Sequence, residues 1–308
     1  MPANTYSFNS SALLPHLKIG QRYTTPMPHG SADALFLAQL ARSAGGGDSK
    51  RRLRVEPAMT LNESAMSHYE PAMTHSEPET TSPRSAVAST LVVLCANAQD
   101  AGRLLAEIGY FDSTLRVLQL PDWETLPYDA FSPHHDLVSE RLQTLYALTQ
   151  RQCDVLLVPV STALYRLSPP SFLLARTFSF AQNDTLDAAV LREQLVNAGY
   201  AAVSQVVAPG EFAFRGGLID LFPMGSVLPF RIDLFGDTIE SIKTFDVDTQ
   251  RTLYPVPEVR LLPAREFPLD DKGRAHFRQC FRERFEGDPA KSAIYKEVSN
   301  GIPAPGIE

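Results

Sequence analysis

The spacing of hydrophobic residues divides the chain near residue 176. Before that point, short apolar runs at 91–95, 115–120 and 154–160 alternate with amphipathic segments. The runs predict strands and the amphipathic segments predict helices. Strands that alternate with helices predict an α/β unit, a parallel sheet with helices on its faces. We therefore expect the strand at 91–95 to be buried on both faces.

Three amphipathic helices accompany these strands. Ser31 and Asn97 are typical N-cap residues for the first two, and the glycines at 45–47 end the first. The third helix is predicted to begin at about Asp136. Their apolar stripes are Ala34, Leu37, Ala38 and Ala41; Ala101, Leu104, Leu105 and Ile108; and Val138, Leu142 and Leu145.

Beyond residue 176 the pattern predicts a small α+β unit that contains an antiparallel sheet. A helix at 185–198 ends at Gly199, and Gly236-Asp237 has the composition of a two-residue hairpin loop. Helical pattern returns after about Pro263. The strands of this unit are predicted at 202–207, 211–222, 228–235 and 238–246, and the later helices at 275–286 and 290–298.

The segment 48–88 has a different composition from its surroundings. It is rich in Pro, Ser, Thr and Glu, and the five residues EPAMT at 56–60 recur at 70–74. The segment has few large apolar groups, and burying them would not offset the entropy lost when the chain is ordered. We therefore predict that 48–88 is a disordered insertion. The repeat is either a short recognition motif or, as we favour, a duplication in a tolerant loop.

The predicted strand 230–235 carries the clearest candidate for a binding surface. Alternation puts Phe230, Ile232 and Leu234 on the core face and Arg231, Asp233 and Phe235 on the other. An aromatic residue and an arginine on an exposed face have the composition of an interface hot spot, and Arg215 on a neighbouring strand is a candidate third member. The alternative is that Phe235 packs under the hairpin, and the pattern does not decide between the two.

Composition and charge narrow the class of protein. The 308 residues are 44% hydrophobic and 20% charged, and 35 acidic against 28 basic residues give a net charge of −7. This balance argues against a broad nucleic-acid surface. No apolar run approaches the roughly 18 residues of a membrane helix, no secretory signal is recognisable, and three scattered cysteines fit a reducing compartment. We predict a cytoplasmic protein with no membrane contact.

Motifs for catalytic sites are missing from the sequence. It contains no GxxxxGK[ST], GxGxxG, HExxH or GxSxG, which are the signatures of phosphate loops, zinc hydrolases and serine hydrolases. The nearest approach to a phosphate loop is Gly30-Ser31, which no lysine follows. We therefore expect no catalytic residue and no cofactor in this chain.

Two groups of polar residues allow other functions. His134-His135, with Asp136 and Asp129 nearby, could bind a metal, but adjacent residues point apart and no second pair has ligand spacing. Asp122, Glu124 and Asp129 could serve as general acid and base. We favour a solvated helix start for the first group and a shaped, proline-rich loop for the second, and so predict no metal site.

Three segments together resemble a known family. They are LPDWETLPYDAFSPHHD at 120–136, LLVPVSTAL at 156–164, and the long segment PGEFAFRGGLIDLFPMGSVLPFRIDLFGDTIESIKTFDVDTQRT at 209–252. The chain from about residue 90 onwards resembles the N-terminal region of the transcription-repair coupling factors (Mfd), which is homologous to the excision-repair protein UvrB. A weaker similarity covers 17–45.

The resemblance implies three units and one binding site. Residues 1–176 would form a degenerate helicase-like α/β domain that has lost its P-loop. Residues 177–263 would form a UvrA-binding insertion domain, and 264–308 an incomplete return to the first domain. The residues that contact UvrA in the family fall on Arg215, Arg231 and Phe235. We expect Arg231→Ala and Phe235→Ala each to lose on the order of 2 kcal/mol of binding without unfolding the chain.

The resemblance also implies what this chain does not do by itself. In the family, a C-terminal ATP- and magnesium-dependent motor translocates on DNA and removes stalled RNA polymerase; here the sequence stops at Glu308, before the polymerase-binding and motor domains. We expect a non-catalytic, UvrA-recruiting module of transcription-coupled nucleotide excision repair. The alternatives are a UvrB-like ATP-dependent repair enzyme and an inert truncated fragment.

Overall fold

The computed structural model describes residues 30–44, 89–125, 129 and 131–307. The predicted insertion at 48–88, with its repeat, lies outside these residues. The helices of the described part are α1 Ala32–Ala44, α2 Ala98–Phe111, α3 His135–Thr149, α4 Val160–Ala163, α5 Pro170–Leu174, α6 Ala188–Ala198, α7 Asp271–Arg284 and α8 Ala293–Ser299. Its strands are β1 Leu91–Cys95, β2 Val117–Gln119, β3 Val155–Pro159, β4 Phe178–Ala181, β5 Ala201–Ala202, β6 Glu211–Arg215, β7 Leu218–Leu221, β8 Phe230–Phe235, β9 Thr238–Phe245, β10 Thr252–Pro255 and β11 Glu258–Leu261.

The first unit is a three-stranded parallel sheet in the order β1-β3-β2, as the alternating pattern predicts. Helices α1 and α2 pack on one face of the sheet and α3 packs on the other. The predicted stripes of α1 and α2 supply the contacts on the first face, where Ala34, Ala38, Ala41, Ala101, Leu104 and Ile108 are buried. On the second face α3 packs through Leu145 and Leu148, while Val138 and Leu142 of its stripe are buried in the cluster of the antiparallel sheet. The mixed α/β class predicted from the sequence is confirmed at this level.

The prediction that strand β1 is buried on both faces is wrong. Val92 and Leu94 are 56% and 64% exposed. Strand β1 lies at the edge of the sheet and pairs with β3 alone. On the face shared by these two side chains, the apolar cluster is formed by α3, β2 and β3. A short apolar run is therefore compatible with an edge strand that is covered on one face.

The second sheet is antiparallel except at one edge and has the order β10-β9-β8-β7-β6-β5. The predicted strand 211–222 is wrong as a single strand, because the chain turns at Gly216-Gly217 and forms the β6–β7 hairpin. Gly216 has a φ of 63°, in the left-handed region that favours glycine. The predicted strand 202–207 is only two residues long, because the chain leaves the sheet after β5 and Val206 packs over the sheet.

Helix α6 covers the inner face of this sheet. Its start is fixed by Asp187, whose carboxylate accepts hydrogen bonds from the backbone N–H groups of Ala189 and Val190, and its end by Gly199 at a φ of 98°. Leu191 and Leu195 of the helix are buried in the cluster that contains the inner-facing side chains of the sheet. The predicted helix and its glycine end are confirmed.

After the antiparallel sheet, the chain contacts helix α3 of the first unit. Strand β11 pairs with β4, and the buried Glu266 then accepts two hydrogen bonds from the fully buried Arg141 of α3, at 2.7 and 3.2 Å. Helices α7 and α8 follow and pack on each other through Phe281 and Tyr295. The division at 176 and 263 stays a prediction, although the ion pair ties Glu266 to helix α3.

No helix within the described ranges is long and apolar enough to cross a membrane.

Candidate interaction surface

Strands β6, β7 and β8 have one face on α6 and a second face that we call the outer face. Register fixes which residues share it, because residues directly opposite on neighbouring strands project to the same side. Asp220 lies opposite Arg231, and Leu218 lies opposite both Arg215 and Asp233. Ile219 and Ile232, which alternate with them, are fully buried against α6. The outer face of these strands thus carries Ala213, Arg215, Leu218, Asp220, Arg231, Asp233 and Phe235, and Lys243 of β9 extends it opposite Arg231.

Arg231 is bound within the sheet. Its Nε and Nη2 donate to the two carboxylate oxygens of Asp220 at 2.7 and 2.9 Å, and its Nη1 donates to the carbonyl of Gln250 at 3.1 Å. The guanidinium also lies 4.8 Å above the ring of Phe245. The hydrogen bonding with Asp220 raises the pKa of Arg231 above its ordinary value. The guanidinium group therefore stays charged at every relevant pH.

Arg215 is more accessible than Arg231. Its side chain is 48% exposed, against 18% for Arg231. Its Nη2 donates to the carbonyl of Ser204 at 2.8 Å, and its Nη1 lies 3.9 Å from Oδ2 of Asp220. One carboxylate therefore lies between the two guanidinium groups, and Arg215 keeps much of its surface towards solvent.

Phe235 ends β8 and is 81% exposed. The alternative that it packs under the hairpin is therefore wrong. Gly236 turns the chain directly after it, at a φ of 63°, and Phe235 pairs with Thr238 across this two-residue loop. Phe235 lies four positions after Arg231, about 13 Å along a strand. The three predicted residues lie along one face, and they do not form a single tight cluster.

Gly217 lets the two hairpins approach each other. The N–H of Leu234 donates to the carbonyl of Gly217 at 2.9 Å, and a Cβ on Gly217 would lie 2.9 Å from the carbonyl oxygen of Leu234. That distance is too short for any other residue unless the backbone shifts. The glycine thereby places the turn that follows Arg215 beside the strand end that carries Phe235.

The outer face carries little net charge around Asp220. Arg215, Arg231 and Lys243, which lies opposite Arg231, contribute three positive charges, while Asp220 and Asp233 contribute two negative ones. The difference is a single positive charge. Such a surface offers hydrogen-bond donors and an exposed aromatic ring without a strong electrostatic field.

The residues considered as metal ligands or as general acids and bases have local structural roles. His134 is the N-cap of α3, where its Nδ1 accepts a hydrogen bond from the N–H of Asp136 at 3.3 Å. Asp122 accepts a hydrogen bond from Ser161 at 2.6 Å, and Glu124 is exposed with a φ of 57°. Across the described ranges, no group of three or more His, Cys, Asp or Glu side chains could hold a metal ion.

Two of the three cysteines are buried and Cys280 is partly exposed; all three are free thiols. Burial raises the pKa of Cys153 to about 11, so that this thiol is protonated at neutral pH. Its Sγ lies 3.2 Å from the carbonyl of Val155. Cys153 is therefore a packing residue of the parallel sheet.

Asp220 and Leu218 are functional candidates that the sequence reasoning missed. Both lie in the run LIDL, which reads as an ordinary strand. Asp220 is 3% exposed although it is charged, and a buried carboxylate requires a partner. An acidic residue in a strand opposite an arginine would have been the available signal.

Comparison with known proteins agrees with this part of the fold. Residues 178–267 match the family model of the UvrB interaction domain. The chain is 48% identical over 221 residues to the transcription-repair-coupling factor of Escherichia coli strain K12, and the aligned region covers 72% of this chain. The chain is a partial region similar to the transcription-repair-coupling factors (Mfd), and it contains a UvrB interaction domain.

Other members of that family give the same result. The factor of Haemophilus influenzae is 49% identical over 209 residues, 67% of this chain, and that of Myxococcus xanthus is 38% identical over 196 residues, 61% of it. The match covers 19%, 18% and 16% of these three relatives in turn. The chain thus spans under a fifth of the length of the Mfd proteins it matches. These matches connect it with DNA repair and with the coupling of repair to transcription.

Proposed function

We propose that this chain is the UvrA-recruiting module of a transcription-repair coupling factor and acts in transcription-coupled nucleotide excision repair. The observation that carries the proposal is the side chain of Phe235, which is 81% exposed on the same face as two arginines. This face belongs to the domain that matches the UvrB interaction family. UvrA is the partner that the resemblance to UvrB favours.

The proposed mechanism is mimicry of UvrB by the outer face. Phe235 fills an apolar pocket of UvrA, where burying a full aromatic side chain is worth about 2–3 kcal/mol. Arg215 donates hydrogen bonds to carboxylate or carbonyl oxygens beside that pocket. Because the face carries little net charge, shape and hydrogen bonding contribute more to affinity than long-range attraction.

The module itself is proposed to be non-catalytic and to need no cofactor. The absence of a GxxxxGK[ST] motif supports this, because the backbone, lysine and hydroxyl of that motif bind the phosphates and the magnesium ion of ATP. Translocation on DNA, removal of RNA polymerase, and the ATP and magnesium that they require are proposed for other domains of a full-length factor. The degenerate helicase-like origin of the parallel sheet is likewise a proposal.

A competition experiment tests this function. A complex of UvrA with fluorescently labelled UvrB is titrated with the unlabelled chain, and displaced UvrB is measured by anisotropy. The chain is expected to displace UvrB, because both would use the same surface of UvrA. Arg215→Ala is expected to displace it less well, by about tenfold in midpoint concentration.

The matched control is Tyr110→Ala. Tyr110 is an aromatic residue of α2 that is 80% exposed, so its substitution truncates a large exposed side chain in another part of the molecule. It should compete like the wild type. Binding of the chain to UvrA without any displacement of UvrB would contradict mimicry.

A further inference from the structure

Asp220 is the least accessible residue of the outer face. It lies in β7 and is 3% exposed, while β6 and β8 on either side bring an arginine towards it. Placing a carboxylate where water cannot reach it costs several kcal/mol unless charged partners compensate. A residue of this kind is unusual in a strand whose neighbours could bury apolar groups.

The geometry around Asp220 explains what the carboxylate does. Both oxygens accept hydrogen bonds from Arg231, which gives the two-point contact that fixes the plane and the position of a guanidinium. The same Oδ2 lies 3.9 Å from Nη1 of Arg215. Three of the five N–H donors of Arg231 bind inside the protein, and two remain for an external acceptor.

We infer that Asp220 is a positioning residue of the interaction surface: it holds Arg231, and more weakly Arg215, in the arrangement that a partner recognises. This rests on the proposed function, because the partner is UvrA. Without the carboxylate, the two like charges of β6 and β8 would face each other across β7 with no anion between them. Each long side chain would then have to be ordered when the partner binds.

The consequence is a coupling between residues in binding. Asp220→Asn keeps the shape of the side chain and removes its charge. Arg231→Lys keeps the positive charge and removes the two-point contact, which a lysine cannot make. If Asp220 acts through Arg231, the two substitutions disturb the same arrangement, and the second adds little to the first.

The experiment measures the affinity of the full chain for purified UvrA by isothermal titration calorimetry. Each single variant is expected to bind about tenfold more weakly than the wild type, and the double variant also about tenfold, where independent effects would give about a hundredfold. All variants are first tested for the wild-type circular dichroism spectrum. The inference would be overturned if the losses of affinity of the two single variants multiplied in the double variant, or if Asp220→Asn bound UvrA with wild-type affinity.

A second cycle pairs Asp220→Asn with Phe235→Ala as the control. Phe235 lies at the far end of β8 and has no contact with the carboxylate, so the two losses of affinity are expected to multiply. If Asp220→Asn merely loosened the whole sheet, it would couple with Phe235→Ala as it does with Arg231→Lys. The two cycles therefore separate positioning from general destabilisation.

Nuclear magnetic resonance keeps this test separate from the proposed function. In the free chain, the Nε–Hε group of Arg231 is expected to exchange slowly with water, and at least tenfold faster in Asp220→Asn. If the wild type does not bind UvrA, the proposed function fails, while slow exchange lost in the variant still supports the positioning of Arg231. Equal exchange in both chains would overturn the inference whatever UvrA does.

Discussion

Arg231 and Phe235 lie on the same strand, yet they depend on the fold in different ways. Arg231 is an internal partner of a buried carboxylate, while Phe235 has most of its surface in solvent. From the sequence we expect the chain to stay folded in both Arg231→Ala and Phe235→Ala, as if the two residues were equivalent. The contacts of Arg231 give it a role in stability that Phe235 does not have.

Arg231→Ala is predicted to lower the free energy of unfolding by on the order of 3 kcal/mol, because it leaves the carboxylate of Asp220 buried without its main partner. Phe235→Ala should change this free energy by less than about 0.5 kcal/mol, as exposed substitutions usually do. Urea unfolding followed by circular dichroism measures both values. Equal stabilities of the two variants would contradict the assignment of roles.

The sequence predicts that Arg231 and Phe235 lie on one face, but it does not predict which residues of that face form ion pairs. Alternation is sufficient to place Arg231 and Phe235 on one side of β8, because the side-chain period of a strand is two. The partner of Arg231 lies on another strand, and only the register of β7 against β8 brings Asp220 opposite it. A single sequence does not contain that register.

Helix α1 is held to α2 by two ion pairs as well as by apolar packing. Asp33 binds Arg103, with the closer pair of atoms at 2.8 Å, and Asp112 binds Arg42. The hydrogen bond from Arg103 lowers the pKa of Asp33 below its ordinary value of 3.8. Burial acts to raise the pKa of Asp112, but the hydrogen bonds from Arg42 and Thr114 outweigh it and hold this pKa below 3.8 as well.

Acid should therefore weaken the attachment of α1. A carboxyl group whose pKa is lower in the folded state stabilises the protein fully above its unfolded pKa of 3.8, and this contribution is lost as the pH falls through the folded value. At pH 7, Asp112→Asn is predicted to be less stable than the wild type by on the order of 1–2 kcal/mol. The difference should shrink between pH 5 and pH 3.

Denaturant unfolding of both chains at pH 7, 5 and 3 measures this difference. The comparison cancels the titration of other carboxylates, because they are common to both chains. A stability difference that does not change with pH would show that the charge of Asp112 does not hold α1 in place.

Helices and strands whose ends are marked by residues of their own sequence can be predicted from it. Elements whose burial or ends depend on neighbouring strands are harder to predict. Helix α6 has an aspartate cap and a terminal glycine within its own sequence, and its prediction is confirmed. Strand β1 and the interior strand β3 have similar apolar sequences, but only β3 has a strand on each side. The sequence at 211–222 predicts one strand, because its apolar pattern continues through the two glycines that turn the chain.

The whole molecule joins a parallel sheet to an antiparallel one through buried polar contacts. Besides the pair of Arg141 and Glu266, the N–H of Gly225, which lies between β7 and β8, donates to the hydroxyl of Ser139 of α3 at 2.7 Å. These contacts connect residues that are 86 and 125 positions apart. Composition and periodicity indicate two units but give no sign of these links.

The part of the outer face that carries Arg215 and Phe235 is exposed in this arrangement. Val206 packs on the same side of the sheet against Ala213, which lies opposite Asp220, and so covers only the part around this carboxylate. The packing of α6, α3 and β11 lies on the inner side of the antiparallel sheet. A partner can therefore reach Arg215 and Phe235 without displacing another part of the described chain.

The most direct test is the affinity of the wild-type chain for purified UvrA, measured beside Phe235→Ala and Tyr110→Ala. We predict micromolar or tighter binding by the wild type and Tyr110→Ala, and binding about 30-fold weaker by Phe235→Ala, as expected for a loss of about 2 kcal/mol. A folded wild-type chain that does not bind UvrA, or a Phe235→Ala chain that binds as well as the wild type, would contradict the account.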